Sequence, residues 1–139
     1  MDVILEELDR RQCLELIPRV PVGRVGVVIR TLPAILPVNF VLVGEHIVFR
    51  TIPGTKLDAA MANAFVAFEV DSYAPDGTWG WSVLVQGMAS EITDPAELAA
   101  LAEIPLYPWA FDDRVASRFV RIEMSFVNGR RFRRRQASA

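Results

Sequence analysis

The segment Phe49–Lys56, with the sequence FRTIPGTK, joins a predicted strand to a predicted helix. The strand covers His46–Thr51, and the Pro53-Gly54 pair ends it with a sharp turn. The helix covers Thr55–Asn63, so its first turn lies at the end of the strand. The unpaired N–H groups of a first helical turn carry partial positive charge, which favours a bound anion.

The residues around this turn suit a phosphate monoester. Gly54 lets the backbone approach a ligand closely, Thr55 adds a hydroxyl group, and Lys56 and Arg50 add positive charge. The segment lacks the first glycine and the Gly-Lys-Ser/Thr ending of a nucleotide-binding P-loop, and it lacks the glycine pattern of a dinucleotide-binding fold. A capped surface helix with an incidental lysine is the alternative interpretation.

Outward from this segment, short runs rich in β-branched residues predict five further strands. A helix with an Asp9–Gln12 capping box precedes them, and a second one follows Asp94. Six closely spaced strands with few helices are typical of a barrel or a sandwich, and strands that are apolar on both faces indicate a partner on one face. Asn128-Gly129 is expected to be a turn, after which Arg130–Arg133 would form a brief extended segment. The predicted elements are strands Gly23–Arg30, Ala34–Val43, Ala64–Val70, Trp81–Ile92 and Phe119–Ser125, and helices Arg10–Ile17 and Pro95–Glu103.

Composition indicates one domain over residues 1–139, with half of the residues apolar. The single cysteine, Cys13, excludes an internal disulfide and a cysteine-rich metal site. No apolar run is long enough to cross a bilayer, and the acidic start is unlike a secretory signal. We therefore expect a cytoplasmic protein without membrane contact.

Arginine is concentrated at the end of the chain. Residues 114–139 hold eight arginines and one acidic residue, Glu123, whereas the first 113 residues are acidic overall. We expect residues 130–139 to form a solvated and mobile tail that pairs with the acidic body. Nucleic-acid binding by Arg130–Arg135 is the less favoured alternative.

Four blocks in this order resemble the pyridoxamine 5′-phosphate oxidase-like, FMN-binding split-barrel superfamily, in particular its short actinobacterial-type members. The similarity covers roughly residues 9–129. The blocks are LPVNF at 36–40, VFRT at 48–51, PGTKL at 53–57 and WSVLVQG at 81–87.

The resemblance implies a mainly β fold, a six-stranded antiparallel Greek-key barrel, and a homodimer with FMN at the subunit interface. It implies that one strand lines the flavin ring, the end of the next meets its polar edge and ribityl chain, and the following turn holds the phosphate. Residues from the other subunit would close the site. The residues implied at the ring are Pro37, Val38 and Asn39, those at its polar edge and ribityl chain are Arg50 and Thr51, and those at the phosphate are Gly54, Thr55 and Lys56. The residues implied from the other subunit are Trp81 and Ser82. Trp109, in a loop, is implied to cover the ring.

The chain departs from the vitamin-phosphate oxidases themselves. The late region reads Arg118-Phe119-Val120-Arg121, where those enzymes have an arginine–histidine pair, and the chain is much shorter. We expect an FMN-dependent oxidoreductase that passes hydride or electrons from a donor such as NADH or NADPH to a small planar acceptor. The alternatives are a deazaflavin-dependent reductase and a non-catalytic flavin-binding sensor or carrier.

No second chemistry is well supported by the residues. His46 is the only histidine and is expected at an edge or surface, so a metal site or a Ser-His-Asp triad is poorly supported. Cys13 falls on the apolar stripe of the first helix and is expected to be buried. No general acid or base is recognised near the proposed flavin.

Overall fold

A computed structural model describes residues 2–108 and 116–135. Strands dominate these ranges, as predicted, and the helices are short. None of the helices in these ranges is long and apolar enough to cross a membrane. The elements are β1 Val3–Leu8, α1 Arg10–Leu16, a 3₁₀ turn Ile17–Arg19, β2 Val22–Ile29, β3 Leu32–Val43, β4 His46–Thr51, α2 Lys56–Ala60, β5 Ala64–Tyr73, β6 Trp79–Glu91, α3 Pro95–Ala102, β7 Arg118–Glu123 and β8 Phe126–Arg134.

Six strands close into an antiparallel barrel in the order β6-β5-β2-β3-β4-β7, and β7 pairs again with β6. These are the six strands that the sequence predicts, with ends displaced by at most three residues. The mainly β barrel is therefore confirmed. Closure removes the unpaired edges that an open six-stranded sheet would expose.

The long strand β6 makes the closure, because it changes partners along its length. Trp79–Gln86 pairs with β8, and Ala89–Glu91 pairs with β7. Gly87 lies at the change, and a Cβ atom at this position would overlap the carbonyl oxygen of Glu123. Glycine is required here for close approach of two backbones.

A two-stranded ribbon, β1 and β8, flanks the barrel on β6. The sequence analysis missed β1, because VILEEL does not alternate apolar and polar residues. Arg131 donates from Nε to Glu6 Oε1 at 2.8 Å, and this hydrogen bond lowers the pKa of Glu6. The chain end was expected to be a mobile tail, but the structure places Arg130–Arg134 in a paired strand.

The predicted turn at Asn128-Gly129 is wrong, because both residues lie inside β8. Gly129 instead serves close packing, since a Cβ atom there would collide with the sulfur of Cys13 and with Leu8. The chain reverses at Met124-Ser125, between β7 and β8.

Two apolar clusters hold the fold together. The larger fills the barrel and includes the fully buried Phe49 and Phe68. The smaller lies between β4 and α3, where Val48 packs with Leu101 and Leu106. The second apolar face of β4 is therefore covered by a helix of the same chain, not by a partner.

Helix α2 is shorter than predicted. It ends after Ala60, and Asn63 adopts a left-handed backbone conformation with φ of 51°. Asparagine tolerates this conformation better than most residues, so the helical pattern stops there.

Candidate functional site

The corner between β4 and α2 is a sharp turn, as the sequence predicts, and it is built around a glycine with positive φ. Gly54 has φ of 84°, and Thr55 caps α2 by accepting a hydrogen bond from the Asp58 N–H at 3.2 Å. The Thr55 hydroxyl also donates to the Ile52 carbonyl at 2.8 Å. The exposed side chain of Lys56 follows at the first helical position. We call residues 50–58 the β4 corner.

Asp58 already satisfies several donors of the β4 corner. Its carboxylate accepts from the Thr51 hydroxyl at 2.9 Å and from the Gly54 N–H at 3.2 Å. Arg118 lies 3.6 Å from the same carboxylate and 3.5 Å from Glu91. Gly54 and Thr51 therefore organise the corner from within, and Lys56 is the charged side chain of the predicted phosphate site that is exposed to solvent.

Arg50 and Asn39 both hold the loop that follows α3. Arg50 Nη1 donates to the Leu106 carbonyl at 2.7 Å, and Asn39 Nδ2 donates to the next carbonyl, Tyr107, at 3.2 Å. Arg50 Nε also donates to Ser117 Oγ at 2.6 Å. These contacts bring β3, β4 and the loop together on the outer side of the barrel.

The three residues predicted on β3 do not share one face. Val38 is 2% exposed and lies in the barrel core, so its side chain cannot line a ligand outside the barrel. Pro37 and Asn39 lie on the opposite, outer face, because side chains alternate along a strand. Only these two side chains fit the predicted role.

Trp81 and Ser82 lie on another part of the sheet. Because side chains alternate along a strand, Ser82 points outward and lines an open pocket of about 470 Å³, together with Tyr73 and Phe132. The Trp81 side chain is in phase with the buried Val83 and packs against the barrel core. Asn39 is on β3 and Ser82 is on β6, with β2 and β5 between them, so the two are three strand spacings, or about 14 Å, apart along the sheet. We call Ser82 and the side chains of this pocket the β6 face.

The predicted site thus falls into two groups within one chain. Pro37, Asn39, Arg50 and Lys56 belong to the β3–β4 side, whereas Ser82 belongs to the β6 face. The side chain of Trp81 is directed to the core, as is that of Val38. Trp109 lies outside the described residues.

A charged cluster that the sequence analysis missed lies between the two groups. Arg24 Nη1 is 3.4 Å from Glu69 Oε1 and 3.2 Å from Asp71 Oδ2. Burial, together with the hydrogen bond and charge of Asp71, raises the pKa of Glu69 to about 7, against the opposing effect of Arg24. The alternation of β5, with its acidic residues two positions apart, was the available signal.

The remaining residues considered in the sequence analysis are Cys13 and His46. Cys13 is buried, and burial raises the pKa of its thiol. His46 is half-buried at the start of β4 and lines a pocket of about 340 Å³ under α3. Within residues 2–108 and 116–135, no cluster of histidine, cysteine or carboxylate side chains could hold a metal ion.

Comparison with known proteins identifies the family. Residues 9–131 match the model of the family described as pyridoxamine 5′-phosphate oxidase. The chain belongs to this family. An uncharacterized protein of Mycobacterium tuberculosis is 36% identical over 128 residues, which cover 88% of this chain and 82% of the relative.

Two solved structures in the same comparison resemble the whole fold. The FAD binding protein from Mycobacterium smegmatis is 34% identical with a TM-score of 0.78, and the alignment covers 92% of this chain and 98% of that one. A Corynebacterium glutamicum protein, provisionally named as a pyridoxamine 5′-phosphate oxidase, is 30% identical with a TM-score of 0.80 over 94% and 100% of the two chains. The split-barrel fold of the family is therefore that of this chain.

Proposed function

We propose that this protein binds a flavin nucleotide, FMN, in a site shared by two subunits. The observation that carries the proposal is the family match over residues 9–131, combined with the placement of the outward-facing site residues in two separate groups, one on the β3–β4 side and one at Ser82. A relative that is 34% identical over nearly its full length is an FAD binding protein, which supports a flavin ligand.

The β4 corner fits the phosphate end of such a ligand. Lys56 supplies a solvent-facing positive charge at the first position of α2, whereas the Asp58 N–H of the same turn is already bonded to the Thr55 hydroxyl. The negative charge of Asp58 is offset by Arg118, so it does not repel a phosphate at full strength. Lys56 would therefore hold the phosphate, while Gly54, Thr55 and Thr51 keep the corner in shape.

The β3–β4 side fits one edge of the flavin ring. Pro37 and Asn39 form an outer wall, and the hydrogen bonds of Arg50 and Asn39 fix the Leu106-Tyr107 loop beside it. When bound, the flavin would supply hydride or single-electron chemistry. The protein would orient the ring and exclude water from it.

A homodimer would complete the site with Ser82 of the second subunit, while the neighbouring Trp81 would contribute through its backbone. The separation of about 14 Å between Asn39 and Ser82 within one chain supports this arrangement. Apolar side chains exposed on the same outer face support it as well, since a single chain rarely leaves such a set uncovered. They are Val28, Ile35, Phe65, Met88 and Phe126.

The reaction we propose is hydride or electron transfer from NADH or NADPH, through the flavin, to a small planar acceptor. The protein would act in the cytoplasm, where reduced nicotinamides are available. A deazaflavin-dependent reductase and a non-catalytic flavin sensor or carrier are the competing functions. The FAD binding relative adds FAD as a competing ligand.

Titration of the purified protein with FMN, FAD and a deazaflavin, followed by flavin fluorescence, tests the ligand. We expect FMN to bind in a ratio of one per subunit, and Lys56→Glu to weaken it. Bleaching of the bound flavin by NADH or NADPH and its recovery with quinone or nitro-aromatic acceptors would distinguish an enzyme from a carrier. Failure of all three ligands to bind would contradict the proposal.

A further inference from the structure

Arg50 lies in a row of outer-face residues that crosses β3, β4 and β7. In the strand register it pairs with Phe119 of β7, and continuation of the β3–β4 register places Asn39 on its other side. The carbon of the Arg50 guanidinium lies over the Phe119 ring, 5.3 Å from its centre, which is within the range of a cation–π contact. The aromatic ring therefore supports the charged group from the side of β7.

Two hydrogen bonds fix the orientation of this guanidinium. Nε donates to the hydroxyl oxygen of Ser117 at 2.6 Å, and Nη1 donates to the Leu106 carbonyl at 2.7 Å. A guanidinium carries five N–H groups, and these two are the ones with partners among the residues that the structure describes. The Arg50 side chain is thus held at two nitrogens, and the N–H groups of Nη2 remain for a ligand.

The segment that holds Arg50 also contacts the β4 corner. Arg118, between Ser117 and Phe119, lies 3.6 Å from the Asp58 carboxylate. We call residues 117–119 the β7 entry. Three consecutive residues of the β7 entry therefore contact two parts of the proposed site, the corner at its phosphate end and the arginine at its ring end.

We propose that Ser117 and Phe119 are positioning residues that hold the Arg50 guanidinium toward the carbonyl edge of the flavin ring. The inference rests on the proposed flavin site, in which Arg50 lies at the polar edge of the ring. A side chain that is fixed before binding loses less rotamer entropy when the ligand arrives. A positive charge held at this edge also stabilises the reduced ring more than the oxidised ring, because reduction adds negative charge there.

The affinities for oxidised and for reduced FMN test this positioning. In Ser117→Ala the guanidinium loses one of its two hydrogen bonds and is less fixed. We expect the dissociation constant to rise about twofold for oxidised FMN and about tenfold for reduced FMN. The fivefold difference corresponds to a midpoint potential of the bound flavin about 20 mV below that of wild type. Fluorescence titration gives the first constant, and a spectroelectrochemical titration of the bound flavin gives the potential.

Three further variants show whether the effect comes from the contacts of Arg50. Ser117→Thr keeps the hydroxyl acceptor and should restore both wild-type values. Phe119→Leu keeps an apolar side chain without the aromatic face, and it should change the same ratio in the same direction by about threefold. Ser125→Ala, at an exposed serine before β8, is the matched control and should follow wild type. An equal loss of affinity for oxidised and reduced FMN in Ser117→Ala would indicate a merely structural role and would overturn the inference.

Solvent exchange of the Arg50 Nε proton, measured by nitrogen-15 NMR, needs no flavin. Ser117→Ala should speed up this exchange about tenfold or more relative to wild type and Ser117→Thr, because the proton loses its acceptor. The same exchange rate in all three proteins would overturn the role of Ser117 even if FMN binds. Absence of FMN binding to wild type, with the Nε proton protected as expected, would instead overturn the proposed function and the assignment of Arg50 to a flavin.

Discussion

The β4 corner and the β6 face differ in how far the chain completes them by itself. In the β4 corner, Asp58 accepts hydrogen bonds from Thr51 and Gly54, and Arg50 is held by two groups of the neighbouring loop. On the β6 face, an open pocket of about 470 Å³ combines aromatic side chains with exposed polar groups.

This difference indicates that the two regions would contribute to ligand binding in different ways. A corner whose polar groups are already paired is rigid before a ligand arrives, which lowers the entropic cost of binding. An open face with aromatic side chains gains most when a ring or another subunit covers it. We therefore propose that the β4 corner anchors the phosphate and that the β6 face of a second subunit would cover the ring.

The largest effect is expected where β6 changes partners. Gly87→Val would place side-chain atoms against the Glu123 carbonyl and should lower the free energy of unfolding by about 3 kcal/mol or more. Gly26→Ala is the control, because its Cβ would meet only the Ala67 side chain at an ordinary 3.4 Å. Urea denaturation measures the free energy of unfolding of both variants. An equal loss of stability in the two would show that Gly87 is not required for closure of the barrel.

Charge reversal at the β4 corner should affect binding much more than stability. Lys56→Glu places a negative charge beside a dianionic phosphate, and we expect FMN affinity to fall more than tenfold. Arg11→Glu, at an arginine whose side chain is 87% exposed in α1, should leave affinity unchanged. Isothermal titration calorimetry gives both values, and full affinity in the Lys56 variant would rule out the β4 corner as the phosphate site.

Removal of the Asp58 carboxylate, which organises the β4 corner, should mainly lower the stability of the fold. Asp58→Ala leaves the buried Thr51 hydroxyl without its acceptor, and we expect a loss of about 2 kcal/mol in the free energy of unfolding. Glu45→Ala, which breaks an exposed ion pair, should cost well under 1 kcal/mol. A loss at Asp58 no greater than this control would mean that the corner is not preorganised by Asp58.

The smallest expected effect is a pH dependence of stability from the charged cluster between the two regions. Since the pKa of Glu69 is about 7 in the folded chain and about 4.5 ordinarily, folding takes up a proton between these values. The free energy of unfolding should therefore fall as pH rises from 4.5 to 7. After allowance for partial solvent exposure, we expect wild type to lose about 1 kcal/mol relative to Glu69→Gln between pH 5 and pH 8. Parallel stability curves for the two proteins would contradict this.

The barrel strands could be predicted from sequence because each is a short apolar run bounded by turn residues. Strand β1 could not, because its stability comes from pairing with β8 far along the chain. The turn predicted at Gly129 was wrong for a related reason. The glycine is needed for close contact with Cys13, and no local sequence pattern reveals this contact.

For the candidate site, local chemistry predicted the capped turn at Gly54 and Thr55 and the exposed Lys56. Sequence alone did not show that Val38 points into the core, because β3 is apolar on both of its faces. It also did not show the cluster of Arg24, Glu69 and Asp71, which depends on the register of β2 against β5. Contacts between side chains on different strands depend on the tertiary structure, so they can be identified only once the fold is known.

Mixing two variants that are each defective in FMN binding tests most directly whether two subunits form one flavin site. Lys56→Glu damages the β4 corner, and Ser82→Trp blocks the β6 face. Neither variant alone should bind FMN well. After the two are unfolded and refolded together, about a quarter of the sites should recover wild-type affinity, because half of randomly formed dimers carry one intact site. Recovery of no sites on mixing, with wild type binding FMN normally, would contradict the shared site.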